Sequence, residues 1–322
     1  MKIKSEALDK WKSSSHLRKI ITKTQKILWG RQGNDGLVLK TVIYALIVSI
    51  GFIYLYPILY MVSQSFKSLQ DLIDPTVIWI PRTLDWDNYV KAWHVLDYMK
   101  TLWSSLLNSV LPAIAQTISS AIVGYGFAKF RFPGKAFMFG VMLLTFIIPK
   151  QVIMIPLFLL FKQYGMLGTP LPFILPALFA QGIKGALFVL IYTQFFRTIP
   201  TALEEAASID GAGVIKTFFR IILPISVPAI VIVFLFSMVW HWNETYLSSL
   251  YLGNSMSTLP LKLKTFNDVF KSLYTSGNKQ FDINESIQMA GTLLIVLPLL
   301  VLYLFAQKWF TAVVDKTGIT GE

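Results

Sequence analysis

The chain has 322 residues, of which 54 % are apolar and only 14 % charged, against about 25 % charged in a typical soluble domain. With a mean hydropathy of +0.58 it has too little polar surface to cover a water-soluble globule, and it reads as a membrane protein. The net charge is +12, and there is no cysteine, which excludes disulfides, thiolate catalysis and cysteine-ligated metals.

The first 36 residues hold nine basic and three acidic residues. A basic surface in general would suggest nucleic acid. A basic end beside apolar spans reads instead as a cytoplasmic tail, and no nucleic-acid partner is expected. Within it Leu17, Ile20, Ile21, Ile27 and Leu28 recur at helical spacing, with Arg18, Lys19, Lys23 and Lys26 between them. That is the pattern of a helix lying on membrane lipid, the alternative being a solvated tail attracted by charge alone.

A bilayer-crossing helix needs about 20 mostly apolar residues. Six stretches meet or approach that length: Leu37–Gln64, Leu102–Ala128, Ala136–Phe161, Leu171–Phe196, Ile221–Trp240 and Ile287–Phe310. The first is too long for a signal-peptide core and no A-x-A-like site follows it, so it reads as an uncleaved span. An even number of spans puts both termini on one side. The connection Lys129–Lys135, with three basic and no acidic residues, places that side in the cytoplasm. The expected organisation is a basic tail over 1–36, a first span over 37–66 and an extracellular loop over 67–101. A membrane core over 102–310 follows, with a cytoplasmic loop at 199–224, and then a cytoplasmic tail over 311–322.

Pro149 and Pro156 interrupt the third stretch. Either the helix is kinked there, or it ends near Pro149, because proline frees a backbone carbonyl that must find another partner. Between the fourth and fifth stretches runs IPTALEEAASIDGAGVIKTFFRIILPISVP. Pro200 stops the preceding span, and Thr201 with Glu204 has the spacing of a capping box, so a short new helix is expected to start there. It should stop at Gly211 or Gly213. Ala206 and Ala207 are small enough for close backbone approach, and Glu204, Glu205 and Asp210 are acidic. A short exposed helix of this kind needs a docking partner, or it frays.

Here the chain resembles a known family. Glu205-Ala206-Ala207, three residues, Gly211, nine residues, then Ile221, one residue and Leu223-Pro224 match the EAA signature of permease subunits of binding-protein-dependent ABC importers. The segments 124–135, 147–161, 165–176, 194–200, 240–244 and 257–263 are similar to the carbohydrate-uptake branch, in particular to the second permease of maltose-type systems. The resemblance implies an all-α integral membrane protein of six spans with the type I ABC importer permease fold, in a bacterial-type plasma membrane. It also implies a non-catalytic transport subunit working with a second permease, a pair of cytoplasmic ATPase subunits and an extracellular sugar-binding protein. ATP and Mg would sit on the ATPase, with no cofactor on this chain. Glu204, Glu205, Ala206, Ala207, Asp210 and Gly211 would form the coupling helix that docks on the ATPase. Gly318 and Gly321 look like a C-terminal tail that reaches toward it, although that tail ends in Glu322 where a basic residue is usual.

Polar residues within or beside the spans are candidates for the solute path: Lys150, Gln151, Gln181, Lys184, Asn243 and Glu244. A lysine at mid-helix costs roughly 2.5–3.5 kcal/mol, so Lys184, with Gln181 three residues before it on the same helix face, needs a partner, a cavity or room to snorkel. The competing reading is packing against the partner permease, and packing is favoured for Asn108, Gln116 and Ser119 on the second stretch. No G-x-x-x-x-G-K-[ST] phosphate loop occurs, so energy must come from another subunit. His16, His94 and His241 lack the close spacing of a zinc motif, and no catalytic or metal site is expected. The alternatives are an ABC permease for a non-sugar solute, or a secondary transporter. The latter usually relies on intramembrane carboxylates, and the six stretches contain none.

Overall fold

The computed structural model of the protein describes residues 36–274 and 285–318, and among them every regular element is helical. Two compact units are distinguished, one ending at Gln64 and including Ile78–Ile80, the other made of the remainder. In the first, helix α1 (Leu37–Ser65) runs unbroken through Pro57. At 1.5 Å per residue its 29 residues extend roughly 44 Å, more than the ~30 Å of a hydrocarbon core. Its apolar side chains are exposed along its length, as lipid contact requires. Trp79 folds back on its end, edge-on to Tyr56 at 5.3 Å between ring centroids, and its carbonyl accepts from Ser63 Oγ.

The second unit is built around α4 (Tyr98–Lys129), which follows the short helices α2 (Leu69–Ile73) and α3 (Asp87–Leu96). One face of α4 carries Ser105, Ser109, Ala113, Gln116, Ser120 and Gly124, all buried. Small residues at this spacing let neighbouring backbones approach closely. A Cβ on Gly124 would lie 2.6 Å from the Cβ of Tyr192. The hydroxyls on this face are satisfied within the helix: Ser105 Oγ donates to Thr101 O at 2.8 Å and Ser109 Oγ to Ser105 O at 2.7 Å. These two hydroxyls therefore pack without needing water. Asn108, Gln116 and Ser119 are all buried here, and Ser119 Oγ donates to Ala177 O at 2.6 Å, a packing contact.

Three of the expected spans are broken. The third ends at Ile147: α5 (Lys135–Ile147) and α6 (Lys150–Gln163) meet at 94° around Pro149. The fourth was expected to be continuous from Leu171 to Phe196. Instead α7 (Leu171–Leu178) stops, and α8 (Gly185–Thr198) begins after a non-helical turn in which Ala180 and Lys184 take positive φ (58° and 59°). Lys184 is therefore not mid-helix. The helix cannot pass because Gln181 N turns back to Pro176 O at 2.8 Å. The fifth stretch was likewise expected as one helix. It divides at buried Ser226, where the segment Val214–Ile225 meets Val227–Asn243 at 78°. That first segment comprises α10 (Val214–Thr217), a π-turn over Phe218–Ile222 and α11 (Leu223–Ile225), and α12 (Val227–Asn243) follows. Pro228, lacking an N–H, sits in the first turn of α12, where none is needed. Three helices, Leu37–Ser65, Tyr98–Lys129 and Glu285–Lys308, are individually long and apolar enough to cross a bilayer.

At the Tyr98 end of α4, residues expected as loops form a helical cap together with the start of the sixth stretch. It comprises α3, α14 (Leu259–Lys264), α15 (Phe266–Tyr274) and the start of α16 (Glu285–Gly318), while α13 (Tyr246–Leu252) packs Leu247, Tyr251 and Leu252 with Phe161 of α6 and Phe173 of α7. The core of the cap holds Val95, Leu96, Trp242, Leu259, Phe266 and Phe270. Leu259 N donates to Ser105 Oγ at 2.7 Å and Tyr98 Oη to Leu294 O at 3.0 Å. Helix α16 continues eight residues beyond the expected end of the sixth stretch, to Gly318. Gly321 and the basic tail fall outside the described residues.

Candidate functional site

Two places on this frame gather the residues singled out by sequence. The first is at the Lys129 end of α4. After Thr198 the chain turns by 74° into α9 (Ala202–Ile209). The expected capping box does not form. Thr201 already has helical backbone angles (φ −64°, ψ −26°) and makes no side-chain cap, because a capping hydroxyl needs the extended backbone of a true N-cap. The Thr201 carbonyl accepts from Glu204 N at 2.9 Å and Glu205 N at 3.0 Å instead. Glu204 turns inward: its carboxylate lies 3.7 Å from Lys129 Nζ, which also donates to Ile199 O at 2.7 Å. The Tyr125 hydroxyl lies beside the same carboxylate.

The far end of α9 closes at Gly211, with φ of +74°. Ala212 N donates to Ala207 O at 2.9 Å and Gly211 N to Ser208 O at 3.0 Å, the paired bonds of a glycine-terminated helix. Ala207 is buried against the body, whereas Glu205, Ala206, Asp210 and Gly211 face outward. Beside them Ile209 is 87 % and Ile215 76 % exposed. The short helix is thus pinned from below, with small and acidic residues outward and bare isoleucines at its rim. Sequence reasoning named the acidic and small residues and passed over the isoleucines, whose exposure no local pattern signals.

The second place is a cavity of about 610 Å³ where the breaks α5–α6 and α7–α8 face the turn before α13. Five of the six predicted path residues line it: Lys150, Gln151, Gln181, Lys184 and Glu244. Asn243, the last residue of α12, is exposed outside the lining. Gln181 and Lys184 share the cavity because they share a tight turn, not a helix face. That turn is clamped on α4: a Cβ on Gly182 would fall 2.2 Å from Gln116 Oε1, and one on Gly185 would fall 2.1 Å from Ala180 O. The Lys184 ammonium lies 5.0 Å above the Phe146 ring and 6.0 Å above that of Trp240, a favourable placement for a cation. Glu244 Oε1 accepts from Tyr246 N and Leu247 N, both at 3.0 Å, capping α13. A smaller cavity of about 80 Å³ adjoins, lined in part by Phe173, Tyr251 and His241. His241 is buried, with Nδ1 2.8 Å from Ser237 O. Sequence analysis gave it no role.

The frame is thus one of broken apolar helices around a central unbroken one, with a polar cavity at the breaks. The chain belongs to the family of binding-protein-dependent transport system inner membrane components, whose family model matches residues 118–316. Members are permease subunits of ABC transporters, non-catalytic themselves, with ATP used by a partner ATPase. The chain is 29 % identical over 276 residues to the arabinooligosaccharides transport system permease protein AraQ of Halalkalibacterium halodurans, a match spanning 84 % of this chain and 93 % of that one. It is 28 % identical to the polygalacturonan/rhamnogalacturonan transport system permease protein YtcP of Bacillus subtilis, over 83 % of this chain and 93 % of the other. Its fold is that of a chain from a bacterial ABC transporter involved in the import of the acidic polysaccharide alginate. That likeness has a TM-score of 0.63 at 21 % identity and covers 85 % of this chain and 96 % of that one.

Proposed function

We propose that this chain is one permease half of an ATP-driven importer that takes up an oligosaccharide or sugar derivative delivered by an extracellular binding protein. The observation that carries the reading is the full EAA spacing on a helix that is exposed outward, closed by Gly211 and tied to α4 through Glu204 and Lys129. Relatives over most of their length transport arabinooligosaccharides and polygalacturonan or rhamnogalacturonan, which favours a sugar over other solutes. In this reading the chain crosses the plasma membrane six times, counting each broken stretch as one span. Residues 1–36 and 311–322 are then cytoplasmic, and 67–101 lies outside.

Helix α9, with Glu204, Glu205, Ala206, Ala207, Asp210 and Gly211, sits in a groove of the ATPase pair. Closure of that pair on ATP and Mg then drives this half and a second permease between inward- and outward-facing states. Such coupling must be reciprocal: the state of the ATPase biases the permease, and the reverse. The half alone encloses no pathway. Purification of the tagged chain from its native membranes in mild detergent should recover an ATPase, a second permease and a binding protein. Recovery of the chain alone, still moving solute without ATP, would overturn the reading and favour a secondary carrier.

A further inference from the structure

We infer that the cavity at the two helix breaks is a subsite for a singly charged acidic sugar unit, a uronate or a sulfate ester, held by Lys150 and Lys184. The inference rests on the reading of the chain as an oligosaccharide permease half and adds to it the charge of the cargo. Its basis is the set of charged groups that face the cavity. Lys150, Lys184 and Glu244 all line it, and Lys150 lies within electrostatic range of both other groups. The Glu244 carboxylate is already committed to the amides of Tyr246 and Leu247. Neither ammonium forms an ion pair among the described residues.

Two cations against one engaged carboxylate leave one positive charge, at a place where both surrounding spans are otherwise uncharged. A cation at such a position marks a solute path and calls for an opposite charge. One negative charge matches that excess, whereas a phosphate dianion would overshoot it.

The rest of the lining suits a sugar. Gln151 and Gln181 offer amide donors and acceptors, and the rings of Phe146 and Tyr246 border the same space. About 610 Å³ lies within the usual range for small-ligand sites, roughly 300–1,000 Å³. Lysine is a point charge on a flexible stem and imposes no bidentate geometry. A translocation site must release its cargo, so two lysines fit it better than an arginine clamp would.

The test uses the complete importer, with its second permease, ATPase pair and binding protein, reconstituted in proteoliposomes. Three radiolabelled probes are compared: trigalacturonate, its carboxyl-reduced neutral counterpart, and a monosulfated galacto-oligosaccharide. The readout is the ratio of charged to neutral uptake in the wild type and in Lys150→Gln, Lys184→Gln and the double variant. Stimulation of ATPase activity by the binding protein serves as the control for intact assembly.

The expected result is that a charged probe is carried. The double variant should lower the charged-to-neutral ratio by about tenfold or more while keeping ATPase stimulation, and Lys150→Arg should restore part of it. Which charged probe loses uptake tells carboxylate from sulfate. An equal loss of charged and neutral uptake would overturn the subsite and assign the lysines to pairing with the second permease. Wild-type uptake of the neutral probe alone would also overturn it, leaving the oligosaccharide reading in place. Uptake of none of the three would count against that reading itself.

Discussion

The two ends of the functional machinery are built on opposite principles. At the Lys129 end of α4 the neighbouring chain is held rigidly: Lys129 ties both Ile199 and Glu204, and an aromatic cluster of Tyr125, Tyr192, Phe196 and Phe218 fills the space beneath. Around Gln116 the same helix is flanked by helices that stop short, so α5–α6 and α7–α8 leave a polar cavity instead of a packed seam. The proposed docking element would have to transmit force, and stiffness serves that. A solute path needs volume and unpaired polar groups, which continuous helices in lipid do not supply.

The largest effect should come from the seam that joins the two regions. Gly124→Leu places a side chain where even a Cβ would meet Tyr192, whereas Gly126 has nothing within 4 Å of such a position. Overpacking a close contact costs about 1–3 kcal/mol or more. Gly124→Leu should therefore lose the monodisperse folded protein in size-exclusion chromatography, while Gly126→Ala should keep it. Equal behaviour of the two would break the claim that α4 and α8 are in tight register.

Gly211→Asp comes next. The position has room in this chain, and its left-handed backbone adds only about 1–2 kcal/mol of strain for a non-glycine residue. Membrane insertion should thus survive while uptake falls by about tenfold or more, in the range of allosteric coupling. Normal uptake would remove the docking assignment.

The Lys129–Glu204 tie should give a smaller effect. Lys129→Ala should lower ATPase-coupled uptake several-fold and Glu204→Gln less, with an interaction energy of about 0.5–3 kcal/mol in a double-mutant cycle. The swapped pair should not restore the wild type, because Ile199 O would lose its ammonium donor. Full restoration would show that only the charge pair matters.

The smallest effect concerns the loop before α3. Hydrogen bonds from Thr76, aided by Arg82, hold the Asp74 carboxyl at about 2, below its usual 3.8. A depressed carboxylate contributes stability that is complete above its unfolded value and lost as pH falls through the folded one. Limited proteolysis of residues 74–82 should be unchanged from pH 7 to about 4 and accelerate only as pH approaches 2. Opening at pH 5 would contradict this.

What the sequence made legible follows from what each region answers to. The loop at α9 is readable because its residues are set by their own local spacing, down to the glycine stop at Gly211. Four of the five cavity residues could be picked out because a lysine or glutamine among apolar neighbours is conspicuous, and the fifth, Glu244, because it is a carboxylate just past the fifth stretch. Their arrangement could not. The turn at Ala180–Lys184 uses positive φ at two non-glycine residues and is held by Gln116 of α4 and the packing of Gly185, a tertiary solution with no local signature. The break at Ser226 lies between Pro224 and Pro228, so its cue was present, but apolar continuity outweighed it. The capping box at Thr201 failed because Thr201 already has helical backbone angles after the 74° turn, while Glu204 turns in toward Lys129, distant in sequence. The helices of the cap fold on one another through Val95, Leu259 and Phe266, contacts that periodicity within one loop cannot reveal.

The most direct test of the central claim uses the absence of cysteine from the chain. A single Ala206→Cys on the outward face of α9 gives a unique attachment point for a short bifunctional cross-linker in native membranes. The account predicts a covalent product with the ATPase subunit, its yield changing between nucleotide-free and ATP-trapped states. Modification of this cysteine without any ATPase product in either state, in membranes that still take up solute, would contradict it.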